Sequence, residues 1–316
     1  MSRYLIRRLL AAIPVMLIVS ASVFLLLFLT PGDPAAVILG PDATIQQITE
    51  LRTRLGLDEP WYVQLINWYG RLARGDLGQS LFLNRPVTQA IAERAEPTIL
   101  LTMLALLVST SVGLPLGILA ALRRGQWIDA GAMFVAIGGV SMPTFWLGLN
   151  LILLFGVILG WLPVAGYQPL SAGPWENLRY LIMPAITLGL AQAALLARLT
   201  RSMMLETLNE DYVRTARAKG LDEPRVVAAH AFRNAVIPLL TVIGLIFAAL
   251  IGGAIITEQV FNIPGVGRLL VQAITRRDYP VVQGVVLVIA GLYVLINLIV
   301  DITYGFLDPR LRQSGS

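Results

Sequence analysis

The chain has 316 residues, 56% of them hydrophobic and only 14% charged, with a mean hydropathy of +0.73. A soluble domain carries about 25% charged residues, so this balance marks an integral membrane protein. The net charge of +5 comes from 23 arginines and one lysine, never in a block interleaved with aromatics, which argues against nucleic-acid binding and for residues that orient membrane helices.

Arg3, Arg7 and Arg8 precede 24 uncharged residues, 9–32, longer than the apolar core of a signal peptide and long enough to span a bilayer. The stretch closes on a turn at Thr30, Pro31, Gly32, Asp33 and Pro34, so 1–32 is expected to be a retained N-terminal transmembrane helix. Residues 33–96 carry eight acidic and six basic residues. Apolar spacing predicts helices over 45–55 and 61–72, separated by a glycine stop at Gly56 and a restart at Pro60. This segment is expected to be a folded, mostly helical, extramembrane piece.

Five further apolar stretches follow. They predict spans at about 97–122, 130–160, 180–200, 234–257 and 279–304, with 205–234 a polar loop and 308–316 a tail. The expectation is an all-α integral membrane protein with six transmembrane helices. With the N-terminus inside, the inner segments hold fourteen basic residues and the short outer loops four. The long first loop holds six more, but loops of that length translocate largely regardless of charge. Both termini are therefore expected in the cytoplasm and 33–96 outside.

Several chemistries are missing. A phosphate-binding loop of the Walker type needs a lysine, and Lys219, the only one, lies between Ala218 and Gly220 outside such a motif. No Asp, Glu, Lys, Arg or His falls in the middle of any expected span, where a gradient-coupled transporter would keep one. Asp129, Arg198, Glu258 and Asp301 sit at span ends and read as interfacial anchors. Ser141 and the serines at 109 and 111 have no base beside them in sequence, and the absence of cysteine excludes disulfides and thiolate-bound metal. No catalytic, cofactor-binding or metal site is expected, and the chain is not expected to be an enzyme.

The longest polar interruption in the second half runs over 211–238 and holds Lys219 and the only histidine, His230. Asn209 and Asp211 can cap a short helix over 212–219, Gly220 can end it, and Asp222 can start a second helix that enters the fifth span. Small Ala216, Ala218 and Gly220 would let another protein approach, with Arg214, Arg217 and Lys219 around them. The same residues could equally be a basic loop that only orients the helices.

Tyr212, Arg214, Thr215, Ala216, Arg217, Ala218, Lys219, Gly220 and Leu221, followed by His230, Arg233, Asn234, Ala235 and Pro238, resemble the cytoplasmic coupling motif of ATP-binding-cassette (ABC) importer permeases. The likeness is to the dipeptide, oligopeptide, glutathione and nickel branch. Arg214, Thr215 and Ala216 stand where the general motif has Glu-Ala-Ala. The resemblance extends through Pro31 to Pro34, 75–80, 141–146, 258–267, 277–280 and the tail residues Asn297, Asp301, Tyr304, Asp308, Pro309 and Arg310.

That resemblance implies a type I ABC importer permease fold in a bacterial or archaeal inner membrane. It implies a second homologous permease, two ABC ATPases that bind ATP and Mg, and an extracytoplasmic substrate-binding protein as partners, besides lipid. It places ATPase coupling on Tyr212 to Leu221. Glu258 and Asp278 would lie on the outer side, as a gate or binding-protein contact, or as loop structure. The alternative is a stand-alone secondary transporter or channel.

Overall fold

The structure is a computed structural model that describes residues 2–29 and 32–307. The turn residues Thr30 and Pro31 and the tail 308–316, with Asp308, Pro309 and Arg310, lie outside the described residues. In chain order the helices are α1 (Ser2–Leu29), α2 (Pro34–Leu39), α3 (Ile45–Leu55), α4 (Trp61–Leu72), α5 (Val87–Leu122), α6 (Trp127–Ser141) and α7 (Thr144–Leu151). After a loop come α8 (Pro174–Leu208), α9 (Asp211–Ala218), α10 (Glu223–Arg225), α11 (Arg233–Val260), α12 (Val266–Arg276) and α13 (Tyr279–Leu307). Two π-helical segments, Ile152–Ile158 and Val226–Phe232, extend α7 and join α10 to α11. Among the described residues the extended structure is a single bridge between Gln79 and Pro86.

Among the described residues four helices are long and apolar enough to cross a membrane: Val87–Leu122, Pro174–Leu208, Glu223–Val260 and Tyr279–Thr303. α1 contributes a shorter apolar helix, Leu10–Leu26. The segment expected as one helix over 130–160 is instead α6 and α7, bent by 99° at Met142 and Pro143. Pro143 has no N–H to continue the ladder, and its ring pushes Met142 into extended backbone, φ −82° and ψ 128°. α5 begins ten residues before the expected Pro97, because 87–96, though polar, continue the same helix.

The described residues divide into two compact units. The first comprises 97–264 and the residues from 296 on. Its core gathers Leu181, Met183 and Leu196 of α8, Leu239 and Leu250 of α11, and Leu101 of α5. α8 buries Ala185, Gly189, Ala193 and Ala197, a stripe of small residues every fourth position. α5 answers it with Gly113 and Gly117. A Cβ on Gly117 would lie 2.5 Å from the Ala197 carbonyl oxygen, and one on Gly189 would lie 2.6 Å from that of Ala105.

Lipid is as apolar as leucine, so membrane helices associate through close backbone packing rather than the hydrophobic effect. Residue 105 meets 189 and 117 meets 197, so the two helices run parallel. Loops exposed to lipid cannot return through hydrocarbon, so the bent pair between these parallel helices makes one crossing. The loop after it is pinned by Gly166 N–H to the Phe261 carbonyl, 2.9 Å, and by the Asn177 amide to the Gln168 carbonyl, 2.6 Å.

The second unit comprises 2–96 and 265–295. α3 opens with a reciprocal capping box between Thr44 and Gln47 and closes on left-handed Gly56, so its ends fall where the spacing predicted. The amphipathic α4 lays Trp68 against Phe24 of α1, ring centroids 6.0 Å apart, with Leu287 of α13 completing the cluster. The Tyr69 hydroxyl bonds the Leu17 carbonyl at 3.0 Å and lies 3.0 Å from the Ser20 hydroxyl.

Candidate coupling site

α8 ends at Leu208, and two residues later the chain restarts as α9. Its N-cap is Glu210, without a side-chain cap bond, rather than Asn209 or Asp211. Asp211 occupies the first turn, where a carboxylate suits the helix dipole, and pairs with Arg214 at 3.4 Å. The Thr215 hydroxyl bonds back to the Asp211 carbonyl, 2.9 Å.

α9 has two faces. Val213 and Ala216 are buried, three positions apart, against Val226, with Leu208 and Leu221 packed beside them. Tyr212, Arg214, Thr215, Arg217, Ala218, Lys219 and Gly220 are exposed, and Leu221 is half-buried. Ala216 was expected on the approachable surface. It turns inward because its spacing from Val213 places it on the apolar stripe.

The helix ends at Gly220, φ +77°, with Gly220 N–H to the Arg217 carbonyl at 2.9 Å and Leu221 N–H to the Ala216 carbonyl at 3.4 Å. This paired closure requires left-handed backbone at the glycine. No atom lies within 4 Å of where a Gly220 Cβ would stand, so the turn faces open space.

Two side-chain bridges join α9 to the next helix. The Arg217 guanidinium donates to both oxygens of Glu223, at 3.0 and 2.7 Å. The bond to that carboxylate raises the Arg217 pKa above its ordinary value. The Asn234 amide donates to the Tyr212 hydroxyl and to the His230 carbonyl, each at 2.9 Å. Neither bridge was read from the sequence, although opposite charges flanking the glycine turn were a signal for the first.

Glu258 and Asp278, the outer candidates, are both buried. Glu258 accepts from the Thr98 hydroxyl at 2.6 Å, and its own carbonyl accepts from Ile263 N–H at 2.9 Å. Asp278 accepts from the Ser80 hydroxyl at 2.5 Å and from Leu81 N–H at 3.2 Å. The Asp278 carboxylate therefore holds a loop, whereas that of Glu258 ties α11 to α5, each within its own unit. Asp129, read as an interfacial anchor, is also buried: its carboxylate takes two bonds from Arg201, at 2.6 and 2.8 Å, and one from Gly125 N–H at 3.0 Å. Nothing in a single sequence links positions 129 and 201.

Residues 113–313 match the family described as "Binding-protein-dependent transport system inner membrane component", and residues 1–102 match its N-terminal counterpart. A protein of Brucella abortus (strain 2308), provisionally named a peptide transport system permease protein, is 51% identical over 312 residues, 99% of each chain. The glutathione transport system permease protein GsiC of Escherichia coli O6:H1 (strain CFT073) is 46% identical over 312 residues, again 99% of each. A chain of the inward-facing MetNI methionine ABC transporter superposes with a TM-score of 0.58 at 20% identity, covering 70% of this chain and 97% of that one. At that identity the likeness is one of fold. The chain belongs to the family of binding-protein-dependent transport system inner membrane components, and its helices form the permease fold of an ABC importer.

Proposed function

We propose that this permease carries short peptides or a similar small solute inward, as half of a pathway completed by a second homologous permease. Two ABC ATPases beneath the pair bind ATP and Mg, and an extracytoplasmic binding protein delivers the solute. Relatives named for peptide and glutathione transport support this substrate class. Both termini and α9 lie on the cytoplasmic side, which the excess of arginine in those segments supports.

One observation carries the coupling assignment. α9 is a short helix between two membrane-crossing helices, with its apolar stripe turned inward and an exposed polar face that ends in an open glycine turn. Tyr212, Arg214, Thr215, Ala218, Lys219 and Gly220 offer that face to an ATPase cleft. Arg217 and Ala216 support it from within the chain, and Leu221 closes the turn. On the outer side, Glu258 and Asp278 shape the loops that meet the binding protein or gate.

The test is the complex in proteoliposomes with ATP inside and binding protein outside. Wild type should import labelled dipeptide or glutathione only with all partners. Gly220→Trp should insert normally yet hydrolyse ATP without import. Uptake by this chain alone, driven by an ion gradient, would establish the secondary-transporter alternative instead.

A further inference from the structure

The link between α9 and the helix leading into α11 is short and non-helical. It consists of Lys219, Gly220 in left-handed backbone, Leu221 and Asp222. Beyond it stands the π-helical segment Val226–Phe232, whose wider turns pack less regularly than an α-helix and often mark functional sites. The apolar contact between the two helices is small, with Val213 and Ala216 against Val226. A force applied to the exposed face of α9 would be absorbed at this hinge unless something stiffened it.

Two polar bridges stand where stiffening is needed. Asn234 reaches Tyr212 in the first turn of α9, and Glu223 grips Arg217 in the last. The attachment points are five residues apart, about 7.5 Å along a helix, so together they fix the direction of α9 as well as its position. The Arg217 pair is bidentate, which fixes orientation in a way a single contact does not. The amide of Asn234 also holds the His230 carbonyl, so the first bridge is anchored in the π segment itself.

We propose that Arg217, Glu223, Tyr212 and Asn234 are positioning residues that make α9 and the base of the fifth span one rigid lever, so that displacement of α9 passes to that span instead of bending at Gly220. The proposal rests on the reading that α9 receives the ATPases. It assigns Arg217, Glu223, Asn234 and the Tyr212 hydroxyl to transmission within the chain, leaving the Tyr212 ring, Arg214 and Lys219 on the exposed face.

The readout is ATP hydrolysed per solute imported in the reconstituted complex, a ratio that a loss of folded protein alone would not change. Glu223→Gln leaves the exposed face of α9 untouched and should raise the ratio about two- to fivefold, the range set by the coupling energy of an exposed ion pair. Tyr212→Phe removes a single acceptor and should shift the ratio the same way, which keeps the test open should Glu223→Gln fail to assemble. The chain has no cysteine, so Arg217→Cys with Glu223→Cys creates a unique pair in it. Reduced, that variant should be uncoupled. Bridged by a short bis-thiosulfonate reagent, it should regain the wild-type ratio. Unchanged ratios in both single variants, or a block of import on bridging, would overturn the lever. Failure of the wild-type complex to couple ATP to import would instead overturn the function reading.

Discussion

Asp129, at the start of α6, and Arg201, near the end of α8, meet in a two-bond pair at 2.6 and 2.8 Å, 72 residues apart in the chain. The remaining capacity of Asp129 holds Gly125 N–H at 3.0 Å, so one carboxylate fixes both the turn before α6 and the approach of α8. Removing one partner from a buried pair costs about 3–5 kcal/mol. The Arg201 side chain keeps 26% of its exposure, which places this pair at the lower end. Asp129→Ala should lower the thermal unfolding temperature of the purified chain markedly. Asp129→Leu with Arg201→Leu should lower it less, because no charge is left buried.

The parallel contact of α5 and α8 predicts an asymmetry among glycines. At Gly117 and Gly189 a Cβ would collide with backbone carbonyls at 2.5 and 2.6 Å, so Gly117→Val or Gly189→Val should cost about 1–3 kcal/mol or more and reduce the folded yield in membranes. At Gly131 a Cβ meets nothing within 4 Å. Gly131→Ala should be neutral or stabilise α6 by about 0.5–1 kcal/mol. Equal loss of stability at all three positions in a thermal melt would contradict the packing described.

Gly220 separates backbone strain from surface contact. Its φ of +77° disfavours any side chain, so Gly220→Ala should cost about 1–2 kcal/mol locally while adding little bulk. Amide exchange at 219–222 should quicken and import should fall only modestly. The much larger loss expected for Gly220→Trp then reports on what meets this face. If alanine uncouples as fully as tryptophan, the turn conformation matters rather than the open surface.

Asp278 orders the loop at 80–82. In Asp278→Ala the Ser80 hydroxyl and Leu81 N–H lose a charged acceptor, each bond to such a group contributing about 1.5–3 kcal/mol. Hydrogen exchange at Leu81 should rise by orders of magnitude while α5 protection is unchanged. Asp278→Asn should fall between.

Much of this molecule is written in local patterns. Uncharged runs of bilayer length, the capping residues Thr44 and Gly56, and the glycine that ends α9 each act over a few neighbouring residues, so composition and spacing suffice to read them. The same holds for the polar stretch 211–238, whose short helix and glycine turn follow from propensity and Gly220, and whose family likeness rests on closely spaced residues. Pro143 was visible too, but a proline in a membrane helix can kink gently or break it. The 99° bend depends on what the two halves pack against.

Distance in the chain hid the rest. Asp129 looked like an interfacial anchor until α8 brought Arg201 to it, and Glu258 until α5 brought Thr98. Gly113, Gly117 and Gly189 carry meaning only once two helices lie side by side. The faces of α9 followed the same rule: helical spacing put Val213 and Ala216 together, but only Val226 arriving from the next helix made that side the inside. Pairing energies of this kind come from groups far apart in sequence, and no local period records them.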